Sequence, residues 1–357
     1  MSNPSKGTRR EWARVLLALA LCAAASIAPA HAAAAAKPTF SSKNYDLYRT
    51  GSDTDVKPAA PATPMLVLMG GGLDVDDAFR AMIAKARGSS TGKVDVVVIR
   101  VTGEDGYNQY LMDMGGVDSV ESLVIKTRAG ADDPAVNAIV AKADVLFIAG
   151  GDQWDYINLW KGTKLDATLQ ALAVRNVPIG GTSAGLAVLG QFDFSAQNGT
   201  ITSTEAMTNP YDRKLTLDRG FLNALPYMGG TITDSHFVTR DRMGRLVTFL
   251  ARLIKDGSVA LNAVRGIGLD EQTALVVDNG VATVMGNPDV AGGHTGAAYF
   301  LRPTIPATVI AAKKPLTFTN VGVQRLTWGQ TFNLGNWPTT GYRYIDVVSG
   351  QLTSVPY

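Results

Sequence analysis

The chain has 357 residues, 46% of them hydrophobic and 18% charged, which is apolar material enough for a large globular core. Its 33 Lys and Arg stand against 31 Asp and Glu, for a net charge of +2, and no long basic stripe interrupts the balance, so a nucleic-acid partner is excluded. The single cysteine, Cys22, excludes a disulfide framework and a cysteine-based zinc site.

The first segment, "MSNPSKGTRREWAR", carries Lys6, Arg9, Arg10 and Arg14 and leads into "VLLALALCAAASIAPAHA". A basic start, an apolar middle and a small-residue end predict a signal peptide over 1–32, cleaved near Ala30 or Ala32. The apolar run is short of the ~20 residues of a membrane span, so no stable membrane insertion is expected. Bulky Leu21 before Cys22 argues against a lipoprotein. The expected product is a periplasmic or secreted protein without a thiol. Residues 33–62 are rich in Ala, Pro and Ser and read as a linker.

Alternation begins at "PMLVLMGGG", a short apolar run ending in glycines, which predicts a buried strand and a tight turn. "DVDDAFRAMIAKAR" has helical spacing. "KVDVVVIRVT" reads as a strand, "NQYLMDMGG" as a helix end and "ESLVIKT" as a strand. In "DPAVNAIVAKA", Asp133 and Pro134 suit a helix cap and first turn. "DVLFIAGGDQ" is a strand entering a glycine turn, "KLDATLQALAVRN" a helix, and "VPIGGTSAGLAVLGQ" a strand, a turn and a helix. Strands alternating with helices predict an α/β fold, with a mostly parallel sheet flanked by helices over 63–290. From about residue 260 the texture turns to strands, including an Asn279-Gly280 hairpin signal. Residues 291–357 are expected to form a β-rich extension packed on the same core.

Sites in parallel sheets lie at the carboxyl ends of the strands. Three glycine turns are predicted there: Gly70–Gly72, Gly150–Gly151 and Gly180–Gly185. The last contains "GTSAG", the G-x-S-x-G pattern of a nucleophile elbow. Small neighbours let a strained turn expose the hydroxyl of Ser183, and a helix start leaves backbone N–H groups free to hold an oxyanion. A serine nucleophile needs a base. Beyond His31, at the cleavage site, the chain offers only His236 and His294. His294 lies in a glycine-rich loop and reads as a surface residue. His236 follows a strand-like "TIT" before a long helix, which places it at another strand end. Glu205, Asp193, Asp234 and Glu271 are all candidates to orient the imidazole, and spacing does not choose among them.

Five segments, "MGGGLD", "IAGGDQ", "GGTSAGLAVLGQ", "TDSHFVTRDRMGRL" and "GIGLDEQTALVV", occur in an order that resembles the cyanophycinase branch of the serine peptidases related to aspartyl dipeptidase E. The resemblance covers roughly residues 62–290 and implies a fold like that of the class I glutamine amidotransferases. It implies Ser183 as nucleophile, His236 as base, and the N–H groups of Ala184 and Gly151 as the oxyanion hole. It assigns the acid to the stretch after the nucleophile helix, hence Glu205, with Asp193 and Glu271 as alternatives. Gln153, Asp234, Arg240, Arg242 and Arg245 are implied to bind substrate. That substrate would be cyanophycin, a poly-aspartate carrying arginine on its side chains, cut to β-Asp-Arg without metal or cofactor; relatives suggest a homodimer. Arginines give bidentate carboxylate contacts, and Asp and Gln can meet a guanidinium. One departure is Ser235, where the family usually has glutamine, so an aspartyl or isoaspartyl dipeptide is the alternative substrate. A cysteine-dependent amidotransferase does not suit a thiol-free chain, whereas a non-catalytic exported binding protein remains the contrasting reading.

Overall fold

The structure is a computed structural model that describes residues 37–88 and 91–357. The signal-peptide reading and the first residues of the expected linker lie outside the described residues. Lys37–Tyr357 forms one compact unit, built on two sheets rather than one.

The first sheet takes β1 (Phe40–Ser41), β2 (Tyr45–Gly51), β3 (Met65–Met69), β4 (Val94–Arg100), β5 (Val117–Ile125), β6 (Val145–Ile148) and β7 (Ile179–Thr182). Three later strands complete it: β12 (Thr273–Asp278), β13 (Val281–Gly286) and β17 (Thr331–Asn333). The order is β1-β2-β5-β4-β6-β7-β3-β12-β13-β17. Its middle, β5-β4-β6-β7-β3, is parallel, and antiparallel strands close both sides.

The second sheet runs β19-β18-β16-β14-β11-β10-β8-β9. Its strands are β8 (Phe192–Phe194), β9 (Leu217–Arg219), β10 (Thr231–Asp234), β11 (Arg265–Leu269), β14 (Ala297–Pro303), β16 (Lys314–Thr327), β18 (Arg343–Val348) and β19 (Gln351–Leu352). A short β15 (Val309–Ala311) pairs with β16. Here β8, β10 and β11 are parallel, and the rest is antiparallel.

Helices cover these sheets: α1 (Asp76–Arg87), α2 (Asn108–Asp113), α3 (Arg128–Ala131), α4 (Pro134–Ala141), α5 (Gln153–Trp160), α6 (Lys164–Val174), α7 (Ala184–Ala187), α8 (Ser203–Thr208) and α9 (Met243–Lys255). Every residue of β3 is buried, as expected for a parallel strand covered on both faces. Alternate residues serve opposite layers. Leu66 and Leu68 join the core under α5 and α6, while Met65, Val67 and Met69 join the core under α1 with Phe79, Met82 and Ile83. Phe192, Phe249 and Tyr299 belong to a third cluster between the second sheet and α9.

Local signals operate as the sequence predicts. The Asp133 side chain accepts from Ala135 N–H at the start of α4, with Pro134 in the first turn. Asn279 and Gly280 both have positive φ, 48° and 83°, and close the β12–β13 hairpin as a primed turn requires.

Two expectations are corrected. The segment read as a linker holds β1 and β2; Tyr45, Leu47 and Tyr48 are buried, because β2 completes the sheet along β5. The helix expected after Ser183 is the single turn α7, which supplies little dipole of its own.

Candidate active site

Ser183 lies directly after β7, with φ 53° and ψ −112°, a backbone region normally left to glycine. The flanking glycines make that turn possible. A Cβ on Gly181 would meet the Gly185 carbonyl carbon at 2.6 Å, and one on Gly185 would meet the Ile148 oxygen at 2.0 Å. The strained elbow is therefore packed directly on the end of β6. The Gly150–Gly151 turn follows β6 and lies against it: a Cβ on Gly150 would be 3.5 Å from Ser183 Cβ. Tyr156 supports this turn, donating its hydroxyl to Ala149 O at 2.9 Å. Ala184, the first residue of α7, has no earlier turn to supply an acceptor for its N–H.

Ser183 Oγ is 2.7 Å from His236 Nε2. His236 Nδ1 is 2.5 Å from Glu271 Oε1. The topology explains this line-up. β10 and β11 are adjacent and parallel, Asp234 pairing with Gly268, and His236 and Glu271 each lie two residues past their strand's end. Glu271 sits in the short link by which the chain leaves β11 for β12 in the first sheet. The glycine turn after β3 stitches the parts together. Gly70 N–H donates to Thr273 O, His236 N–H to Gly70 O and Gln272 N–H to Gly71 O. The three groups thus meet at the seam between the two sheets.

His236 is buried and has φ 47°. Desolvation holds its pKa below the ordinary imidazole value; Glu271 opposes this, while Arg240 and Arg242 reinforce it. The resting imidazole is thereby neutral near pH 7, the form that can accept a proton. With Nδ1–H donated to Glu271, Nε2 is left as the acceptor for the serine hydroxyl. Such a line of hydroxyl, imidazole and carboxylate can generate a serine nucleophile.

The assignment of the acid to Glu205 is overturned. Glu205 is the third residue of α8 and forms a capping box with Thr202. Its carboxylate also takes Lys214 Nζ at 2.8 Å, and these contacts hold its pKa down at about 2. Thr202-x-x-Glu205 is itself a sequence signature of a helix start, a signal pointing away from catalysis. Asp193 is fully buried on β8 with neither oxygen hydrogen-bonded among the described residues, and burial pushes its pKa up. His294 stacks on Trp328, ring centroids 4.0 Å apart.

The implied substrate-binding set divides. Asp234 and Arg245 are committed to each other: Nε and Nη2 donate to the two carboxylate oxygens at 2.8 and 2.6 Å. Arg245 is 2% exposed and also donates to Ile201 O at 3.2 Å. Asp234 is therefore not free to meet a substrate guanidinium, and Arg245 is a buried support. Arg242 bridges Asp234 and the Ser235 carbonyl; burial pushes its guanidinium down to about 10 against the pull of Asp234. Ser235 is buried. Arg240 is exposed, and no ion pair engages it among the described residues. Arg240, Arg242, Gly151 and Gln153 line a cleft of about 430 Å³, so the turn beside Ser183 opens into a cationic pocket. Gln153 donates to Phe194 O at 3.2 Å across it.

Among the described residues no group of three or more His, Cys, Asp or Glu is arranged to hold a metal ion, and no helix is long and apolar enough to cross a membrane.

The fold, the elbow and the Ser183–His236–Glu271 line define the class of site found in serine hydrolases. Residues 105–285 match the model of Peptidase family S51, and the chain belongs to that family. The matched stretch contains Ser183, His236 and Glu271. The chain is 26% identical over 226 residues to a cyanophycinase of Trichormus variabilis, covering 61% of this chain and 66% of that protein. It is 29% identical over 238 residues to a cyanophycinase of Synechococcus elongatus, covering 64% of each. The matched part thus spans about two thirds or less of these relatives. A solved structure of a peptidase from an acI-B1 Actinobacterium is 17% identical and superposes with a TM-score of 0.49 over 77% of this chain and 98% of that one.

Proposed function

We propose that this protein is an exported serine peptidase that hydrolyses a cyanophycin-like polymer to β-Asp-Arg dipeptides. The observation that carries the reading is the continuous hydrogen-bonded line from Ser183 Oγ through His236 to Glu271, beside a pocket lined by Arg240 and Arg242.

In this scheme Ser183 Oγ attacks the scissile carbonyl carbon and its proton passes to His236 Nε2. The tetrahedral oxyanion is held by the Ala184 N–H and an amide of the Gly150–Gly151 turn. His236 returns the proton to the leaving amine as the C–N bond breaks, leaving an ester on Ser183. Water, deprotonated by the same imidazole, then releases the acid. Glu271 holds the imidazole in the required tautomer and stabilises it when charged. Arg240 is placed to receive a substrate carboxylate, since its guanidinium is exposed and without an ion pair among the described residues. The basic, apolar and small-residue pattern of 1–32 supports export, which suits a polymer too large to enter a cell.

Ser235 favours a second substrate reading. It is small, buried and engaged by Arg242, where the family usually has glutamine, and this is compatible with a short aspartyl or isoaspartyl peptide. The deciding experiment incubates purified protein with insoluble cyanophycin beside Ser183→Ala and identifies soluble products by mass. Release of β-Asp-Arg by the wild type alone supports the polymer reading. Cleavage of β-aspartyl dipeptides with the polymer left intact supports the second. Equal turnover by Ser183→Ala would refute both.

A further inference from the structure

The segment from Ser235 to Arg242 carries the imidazole and two of the three arginines that line the cleft, and it is strained. His236 and Asp241 both have φ of 47°. Non-glycine residues in this region each cost roughly 1–3 kcal/mol and persist only where surrounding contacts over-determine them. Part of that determination is evident. Asp270 Oδ1 accepts from the N–H groups of Val238 and Thr239 and from the Thr239 hydroxyl. Phe237 N–H donates to Leu269 O, and Arg242 N–H to Phe237 O.

The Ser203 hydroxyl also donates to Asp241 O, and further support comes from far along the chain. The Tyr357 hydroxyl accepts from Met243 N–H at 3.0 Å, donates to Asp241 Oδ1 at 2.9 Å and has Phe237 O at 3.3 Å as a second acceptor. Met243 opens α9, and Arg242 before it provides no side-chain cap. A helix start without a cap leaves N–H groups unsatisfied, and Tyr357 supplies one partner. Its ring meets Phe237 edge-on, centroids 5.9 Å apart, and Tyr299 likewise at 5.7 Å. Phe237 is fully buried directly after the base, and it is packed so tightly on β11 that a Cβ on Gly268 would lie 2.6 Å from its ring. Asp241 is the strained residue whose carboxylate Tyr357 holds. One side chain therefore touches the loop just after His236, at its second strained residue and at its exit into α9.

We propose that Tyr357 is a positioning residue for the base: it locks the 235–242 loop so that His236 stays in line between Ser183 and Glu271. The proposal rests on the serine-hydrolase reading above for its kinetic consequence, and on the geometry alone for its effect on His236. Tyr357 lies outside the 105–285 family match, so the lock is a property of this chain's β-rich C-terminal portion.

The test compares wild type, Tyr357→Phe and Tyr211→Phe. Tyr211 donates its hydroxyl to Asp256 at the far end of α9 and controls for loss of a tyrosine hydroxyl that does not reach the loop. Two quantities are followed: the rate at which a fluorophosphonate labels Ser183, and the pH titration of the His236 Cε1 proton by NMR. Groups facing His236 are Glu271, Arg240 and Arg242. Tyr357→Phe is expected to slow labelling roughly tenfold, since ångström-scale misplacement is costly to reactivity. It is also expected to move the His236 midpoint upward, toward the solvated imidazole value, as water enters the loosened loop. Tyr211→Phe should change neither. Asp241→Ala, which removes the acceptor and keeps the ring, should act like Tyr357→Phe and replaces it should that variant not fold. An unmoved His236 midpoint in a folded Tyr357→Phe overturns the proposal, even if thermal stability drops. Absence of labelling in the wild type would instead sink the serine-hydrolase reading, and the NMR midpoint would still decide the role of Tyr357.

Discussion

Gly71 lies so close to the imidazole of His236 that a Cβ on it would fall 2.3 Å from the ring's Cε1. Its φ of 100° is also one that other residues rarely adopt. Gly71→Ala should displace the ring from Ser183 and lower kcat by at least ~100-fold, the penalty of ångström-scale misplacement. The backbone strain should lower stability by about 1–3 kcal/mol. Kinetics together with denaturant unfolding would separate the two effects; wild-type kcat in a folded variant would contradict the contact.

The two glutamates weighed as partners of the base should behave oppositely. Glu271→Gln removes the charge beside Nδ1 and is expected to lower kcat by about 10³–10⁴, the upper figure being that of a fully buried triad acid made neutral, since Glu271 is partly exposed. Glu205→Gln should leave turnover within about twofold and reduce stability by no more than about 1 kcal/mol, as befits a capping contact. Purified variants assayed side by side check this, and the reverse ranking would restore Glu205.

The pH dependence follows from the lowered His236 pKa. The neutral imidazole is the working form, so kcat/KM should hold below pH 6.5 and fall only as pH drops through the depressed folded-state value. The same sign applies to stability. With the folded pKa below the unfolded one, the contribution is present above 6.5 and is lost on acidification through the folded value. An acid limb with its midpoint above 6.5 would show that Glu271 outweighs desolvation.

The arginines should separate by burial. Arg245→Leu takes both of its donors from the Asp234 carboxylate, which is 4% exposed, and leaves it the longer contact to Arg242 at 3.2 Å; it should cost about 3 kcal/mol, the low end of the usual result of breaking a buried pair from one side. Arg240→Ala should leave thermal unfolding unchanged and raise KM by roughly tenfold or more through loss of one charge-assisted contact. A stable Arg245→Leu with raised KM would return Arg245 to the binding surface.

Much of this site was legible residue by residue. The glycines flanking Ser183 marked the elbow because a strained turn excludes side chains locally, and the structure places Gly181 and Gly185 in just such contacts. His236 stood out because the chain has so few histidines. The alternation of buried runs with helical spacing predicted the parallel middle of the first sheet, since each run has to bury both faces of a strand. The lead-in over 40–51 reads as linker because its Ala- and Pro-rich surroundings hide β2, whose burial depends on pairing with β5, and the exposed two-residue β1 beside it.

Sequence alone therefore determined the elements whose cause is local: the strands of the parallel middle, the Asp133 cap, the primed hairpin and the strained elbow. The tertiary structure decided the partnerships. Glu271 reaches His236 across 35 positions only because β10 and β11 lie side by side in parallel, and Asp234 is claimed by Arg245 rather than by substrate because both are buried together. Local backbone geometry is encoded within a few residues, whereas which strand ends become neighbours is set by packing two whole sheets against each other. Spacing along the chain left four carboxylates open and the resemblance favoured Glu205; that packing put Glu271, alone of the four, within hydrogen-bonding distance of the imidazole.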